Sequence, residues 1–66
     1  MKDLLKDYPE ILDVATVARL LQVTPKTIRK HIENNEIPAI KIGKLYRIPK
    51  EWFLGYLQEQ QKQTHY

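Results

Sequence analysis

Between Pro25 and Lys50 seven cations (Lys26, Arg29, Lys30, Lys41, Lys44, Arg47 and Lys50) face only two acids, Glu33 and Glu36. That segment carries +5. Residues 1–24 hold three bases and four acids, and residues 51–66 one base and two acids, so each flank carries −1 and the chain +3. A lysine ammonium is a point charge suited to phosphate, and the planar arginine guanidinium bonds two acceptors at once, on a phosphate or on the edge of a guanine. The chemistry on offer is recognition of a polyanion. Covalent chemistry has no comparable set, because the chain contains no serine, no cysteine and no glycine-rich phosphate loop, and no paired-carboxylate cleft can be assembled from it. His31 and His65 are its two histidines and no ligand spacing joins them, so neither a metal nor another cofactor is expected. The expectation is a binding module and not an enzyme.

Periodicity supplies the elements that must hold these cations. Asp13 can cap a helix from about Val14 to Leu21, with Val14, Val17, Ala18 and Leu21 on one face. Gln22-Val23-Thr24 makes a turn, and Thr24 caps a second helix whose first position is Pro25, where a missing N–H costs nothing. That helix should stop near Asn34, since Asn34-Asn35 suit a helix C-terminus. With Ile28 at the origin of the helical wheel, Ile32 returns to the same side, while Lys26, Arg29 and Lys30 lie at about 160°, 100° and 200°. Gly43-Lys44 then separates two short alternating segments, Ala39–Ile42 and Leu45–Ile48, and Gly43 suits the first central position of a type II′ turn. Alternation predicts an apolar hairpin face of Ile40, Ile42, Tyr46 and Ile48 against a basic face of Lys41 and Arg47. Pro49 opens a third helix to about Gln60, its core stripe being Phe53, Tyr56 and Leu57. Pro9 argues against a helix through the lead, residues 1–12.

The resulting class is α+β, mostly α: two helices joined by a tight turn, a two-stranded hairpin wing and a C-terminal helix. A chain of 66 residues makes one domain, with its core at about residues 12–60 and residues 61–66 frayed. Without cysteine it must stand on a single small apolar core. No apolar run is long enough to span a membrane and the N-terminus has no signal-peptide pattern, so a soluble cytoplasmic protein is expected.

Val17-Ala18, Leu20-Leu21, Val23-Thr24-Pro25-Lys26-Thr27-Ile28, Ile32, Ile37-Pro38-Ala39, Lys41-Ile42-Gly43, Tyr46-Arg47-Ile48-Pro49 and the third-helix stripe of Phe53, Tyr56 and Leu57 resemble the small winged helix-turn-helix domains of the excisionase family, relatives of the MerR-type DNA-binding domain. The likeness covers about residues 12–58. It implies that the second helix lies in the DNA major groove and the wing on the adjacent minor groove. Three departures stand out: Ala15-Thr16 replaces the acidic residues usual early in the first helix, His31 replaces an apolar residue, and Trp52 and Leu54 stand where polar residues are common.

A basic helix and hairpin between mildly acidic flanks is the electrostatic footprint of a DNA reader. The candidate recognition-helix residues are Thr24, Pro25, Lys26, Thr27, Arg29 and Lys30, and the wing candidates are Lys41, Gly43, Lys44 and Arg47. A bland alternative makes the helix cations a solvated face and the wing lysines the solubilising charges of a sheet edge. Tyr46 reads as core because it shares strand parity with Ile48, and His31 as packed or half-exposed. Trp52 reads equally as core, as cover for the lead, or as an exposed protein contact. The resemblance implies a recombination directionality factor that binds and bends DNA beside an attachment site and steers an integrase. A small transcriptional regulator of a mobile element would use the same contacts, and a third reading docks a protein partner through Trp52 or Leu54. No heptad seam is present, so a monomer that becomes cooperative on double-stranded DNA is expected.

Overall fold

Two short side chains decide where the first helices begin. The computed structural model describes residues 5–63, with side chains followed as far as Gln60, in the order β1 (Ile11–Asp13), α1 (Val14–Leu21), α2 (Pro25–Glu33), β2 (Ile40–Ile42), β3 (Leu45–Pro49) and α3 (Lys50–Gln63). Asp13 accepts the Thr16 N–H on Oδ1 at 2.8 Å, and Thr24 accepts the Thr27 N–H on Oγ1 at 3.2 Å, with Pro25 in the first turn of α2. Each cap satisfies one of the amides that a helix start leaves without a partner. Both helices also end alike. Val23 N–H bonds Ala18 O and Gln22 N–H bonds Arg19 O; Glu36 N–H bonds His31 O and Asn35 N–H bonds Ile32 O. Gln22 and Asn35 take the left-handed conformation that this closure requires, at φ 59° and 61°. The boundaries of α1 and α2, with the Asn34 stop, agree with the sequence reading, whereas Pro49 closes β3 and α3 begins at Lys50.

The sheet departs from it. Three strands, not two, form an antiparallel sheet in the order β1-β3-β2. A three-residue strand between Pro9 and a helix offers no alternation to read, and its partner lies far along the chain: Leu12 pairs with Ile48 and Asp13 with Arg47. The lead is tied down further by Lys50 N–H on Glu10 O (2.7 Å), Lys50 Nζ on Tyr8 O (3.1 Å) and the complete burial of Leu5. The apolar core therefore reaches back to Leu5, ahead of residue 12.

The hairpin faces are also reassigned. Ile42 pairs with Leu45, Lys41 with Tyr46 and Ile40 with Arg47. Directly opposed residues share a face. Leu12, Lys41, Tyr46 and Ile48 thus lie on one side, and Asp13, Ile40, Ile42, Leu45 and Arg47 on the other. The expected apolar face of Ile40, Ile42, Tyr46 and Ile48 does not exist. Alternation within each strand was right, but a two-residue loop pairs every even position with an odd one, which puts the two strands out of phase. Ile48 and Leu12 are buried, while Ile42 and Leu45 stay 59% and 56% exposed.

Ten buried residues make one cluster: Leu5, Leu12, Val17, Ala18, Ile28, Ile32, Ile37, Ile48, Phe53 and Leu54. Leu54 is core, so it cannot be the surface contact that the sequence allowed; Trp52 is 46% exposed. The α3 stripe is Phe53 and Leu54, both buried, with Tyr56 and Leu57 half-buried against the core and Tyr56 stacked on Phe53 at 6.2 Å between centroids. Helical backbone runs to Gln63, three residues past the expected end, and the fraying expected of residues 64–66 lies outside the described residues. Among the described residues no helix is long and apolar enough to cross a membrane.

Candidate nucleic-acid interface

Burial of Ile28 and Ile32 fixes the rotation of α2 about its axis, and the opposite face carries Lys26, Arg29 and Lys30, all exposed. At its N-terminus the threonines are partly committed. Thr24 Oγ1 holds the Thr27 N–H and lies 2.9 Å from Thr27 Oγ1. Pro25 has no N–H, and the Ile28 N–H is taken by Thr24 O. Of the first-turn amides, the Lys26 N–H is left for an external acceptor, next to its own ammonium. Thr24 and Thr27 act first as a cap, and their second hydroxyl capacity is what remains for a ligand.

The wing brings the other cations in from a distant part of the chain. Gly43, at φ 62°, makes the tip, and Lys44 has no positive φ, which fits the type II′ turn. Nothing lies within 4 Å of where a Gly43 Cβ would project, so the glycine is there for its backbone angle and not for space. A cleft between the start of α1, the exposed side of α2 and the wing is lined by Asp13, Val14, Ala15, Arg29, Lys44, Leu45, Tyr46 and Arg47. Arg29, Lys44 and Arg47 thus converge from two elements. Arg47 Nη1 donates to Tyr46 O at 2.9 Å, which limits its freedom and aims the guanidinium. Among the described residues no carboxylate lies within ion-pair distance of Lys26, Arg29, Lys30, Lys44 or Arg47. These charges remain available to an external anion.

Two of the seven clustered cations are placed elsewhere. Lys50 is only 14% exposed, its Nζ held by Tyr8 O and 3.7 Å from Glu10 Oε1, so it anchors the lead. Lys41 lies on the sheet face opposite Arg47, its Nζ 6.0 Å from the centroid of Tyr46 in a cation–π contact. Arg29, Lys44 and Arg47 therefore line one cleft, with Gly43 at the wing tip; Thr24, Pro25, Lys26, Thr27 and Lys30 lie along α2 and its cap outside that lining, and Lys41 is on the far side of the wing.

The sequence reading missed Asp13 and the Ile42–Leu45 pair as neighbours of this surface. The parity of the two-residue loop was the available signal for the pair. In the sequence Asp13 reads only as a cap; β1–β3 pairing sets it opposite Arg47. Its carboxyl is held below the usual carboxylate range, first by hydrogen bonding from Thr16 and to a smaller degree by Arg47 and Arg19. It is a fixed negative charge at the edge of a positive cleft. His31 is half-exposed and pairs through Nδ1 with Glu36 Oε1, a contact made possible because the α2 closure folds Glu36 back over His31. Among the described residues no three His, Cys, Asp or Glu side chains are grouped to hold a metal ion.

The chain is similar in sequence to known proteins. Over 39 residues the chain is 36% identical to two Mycobacterium tuberculosis proteins, from strains CDC 1551 / Oshkosh and ATCC 25618 / H37Rv, each bearing the name "Putative DNA-binding protein". The match covers 59% of this chain and 50% of each relative, so the aligned region spans half of their length. No solved structure matches the chain. A family model described as a helix-turn-helix domain matches residues 11–61, a span that takes in β1, both capped helices, the wing and most of α3, and the chain belongs to that helix-turn-helix domain family.

Proposed function

We propose that this chain binds duplex DNA, with α2 in the major groove and the β2–β3 wing over the adjacent minor groove, and that it serves as an excisionase steering an integrase toward excision. The convergence of Arg29, Lys44 and Arg47 on one cleft, beside the exposed Lys26 and Lys30, carries the reading. A recognition helix presents its N-terminal side chains to base edges in the major groove. Arg29, on the second turn, is the side chain suited to a bidentate contact with guanine. Lys26, Lys30 and Lys44 would meet phosphates. Membership of a helix-turn-helix family and the names of the mycobacterial relatives support the DNA reading. The excisionase role rests on the sequence resemblance, with the chain binding as a monomer whose copies cooperate on neighbouring sites.

Salt titration tests the first part. With Lys50 and Lys41 placed elsewhere, five of the seven cations remain, four if Arg29 reads a base, and log K should fall against log salt with a slope of about −4. A slope near −1 would mean that this surface is not where the DNA lies. The second part is tested by adding the chain to an excision reaction run by the integrase of its own replicon. Excision that depends on the chain supports the role, whereas repression of a nearby promoter without any effect on excision favours a transcriptional regulator.

A further inference from the structure

The outer face of the wing carries an apolar pair whose exposure the core does not explain. Ile42 and Leu45 oppose one another directly at the base of the Gly43-Lys44 turn, 59% and 56% exposed, and Ile40 continues the same face at 40%. Cations surround them. Lys44 is at the tip, Arg47 is on the same face two residues from Leu45, and Leu45 lines the cleft that also holds Arg29. A second copy of this chain docking here face to face would bring like charges together. A polyanion with apolar walls would satisfy both parts of the patch, and the DNA minor groove, with deoxyriboses between its phosphate rows, is such a surface.

We infer that Ile42 and Leu45 form an apolar wedge that enters the minor groove beside α2 and opens a base step, so that the wing bends the DNA as well as gripping it. The inference rests on the DNA-binding reading above and adds a way of deforming the duplex to it. Dimensions carry the argument. Paired strands are about 4.8 Å apart before any side chain is added, and an undistorted minor groove is only about 6 Å wide. Ile42 and Leu45 stand side by side on one face, so the tip cannot seat both without widening the groove. Apolar side chains that widen a minor groove do so by partly unstacking a step and kinking the duplex toward the major groove. On this molecule that direction would wrap the DNA onto Lys26, Arg29 and Lys30.

The probe is a duplex selected from random sequence by the wild-type chain, with 2-aminopurine under the wing and a donor–acceptor dye pair on its ends. The wild type should raise 2-aminopurine fluorescence and shorten the end-to-end distance. Ile42→Thr with Leu45→Thr keeps strand-compatible residues at two exposed positions. This double variant should melt like the wild type, keep its salt slope, bind about three- to tenfold more weakly and lose both optical changes. A wild type that binds with silent 2-aminopurine and unbent DNA overturns the wedge and leaves the DNA reading standing, whatever the variant does. So does a folded double variant that retains both signals. A double variant that keeps them on one-site duplexes but loses cooperativity on two-site duplexes assigns the patch to a second copy and overturns the wedge. A chain that selects no duplex at all overturns both readings.

Discussion

The helix-turn-helix and the sheet of this protein obey different kinds of rule. In α1 and α2 everything decisive happens within five residues of chain: Asp13 to Thr16, Thr24 to Thr27, Glu36 back to His31. In the sheet, beside the local β2–β3 hairpin, β1 reaches β3 through residues more than thirty positions apart, as in Leu12 with Ile48 and Asp13 with Arg47. A helix carries its own facing rule, so the buried Ile28 determines where Arg29 points. A strand carries only alternation, and which side is which depends on its partner. The two regions meet in the cleft lined by Arg29, Lys44 and Arg47, so the candidate interface combines a locally coded half with a globally coded half.

Core substitutions should give the largest effects and test whether the two halves melt together. Ile28→Ala and Leu5→Ala should each destabilise by about 2–5 kcal/mol, since both remove a fully enclosed aliphatic side chain. Leu5 lies far outside the helix-turn-helix, so equal losses in urea melts would show that the lead and the sheet belong to one cooperative unit. A Leu5→Ala cost below about 0.5 kcal/mol, the level of an ordinary surface change, would separate them.

The next largest effects should be on binding and should differ in kind between the halves. Arg29→Ala should weaken binding to the preferred sequence by about 1–3 kcal/mol and relax sequence preference. Lys44→Ala should weaken all sequences alike. Competition against random duplex distinguishes them, and identical sequence-independent losses would reduce α2 to a backbone clamp.

Lys50 and Lys26 sharpen the comparison from the other side. Lys50→Ala should cost about 1–2 kcal/mol of stability by leaving Tyr8 O without its charged donor, with no change in the salt slope. Lys26→Ala should leave the melting temperature alone and lower the slope by about 1. The reverse pattern would place Lys50 on the binding surface and return the hairpin's electrostatics to the simple count of charges.

The smallest effect is a pH dependence in the α1 cap. The folded carboxyl of Asp13 titrates below its ordinary value of 3.8, so its contribution to stability is present above that value and is lost as pH falls through the lower folded one. Asn caps a helix nearly as well as Asp but does not titrate there. Melts of wild type and Asp13→Asn between neutral pH and pH 3 should therefore converge as acid is added. A gap that stays constant would show that the carboxylate charge adds nothing to the cap.

Sequence alone determined both helix starts, their stops, the buried pair Ile28 and Ile32 and the exposed trio Lys26, Arg29 and Lys30. The physical reason is that caps, proline at a helix start and 3.6-residue periodicity act through neighbours in the chain. It also determined that a two-residue loop at Gly43 folds a hairpin, because the left-handed angle there suits glycine. Tertiary structure decided the rest. It recruited Ile11–Asp13 as a third strand, buried Leu5 and Leu54, and turned Lys50 from a surface charge into an anchor for the lead. Each of those outcomes depends on which distant backbone supplies the partner, and a strand three residues long holds too little pattern of its own to name it.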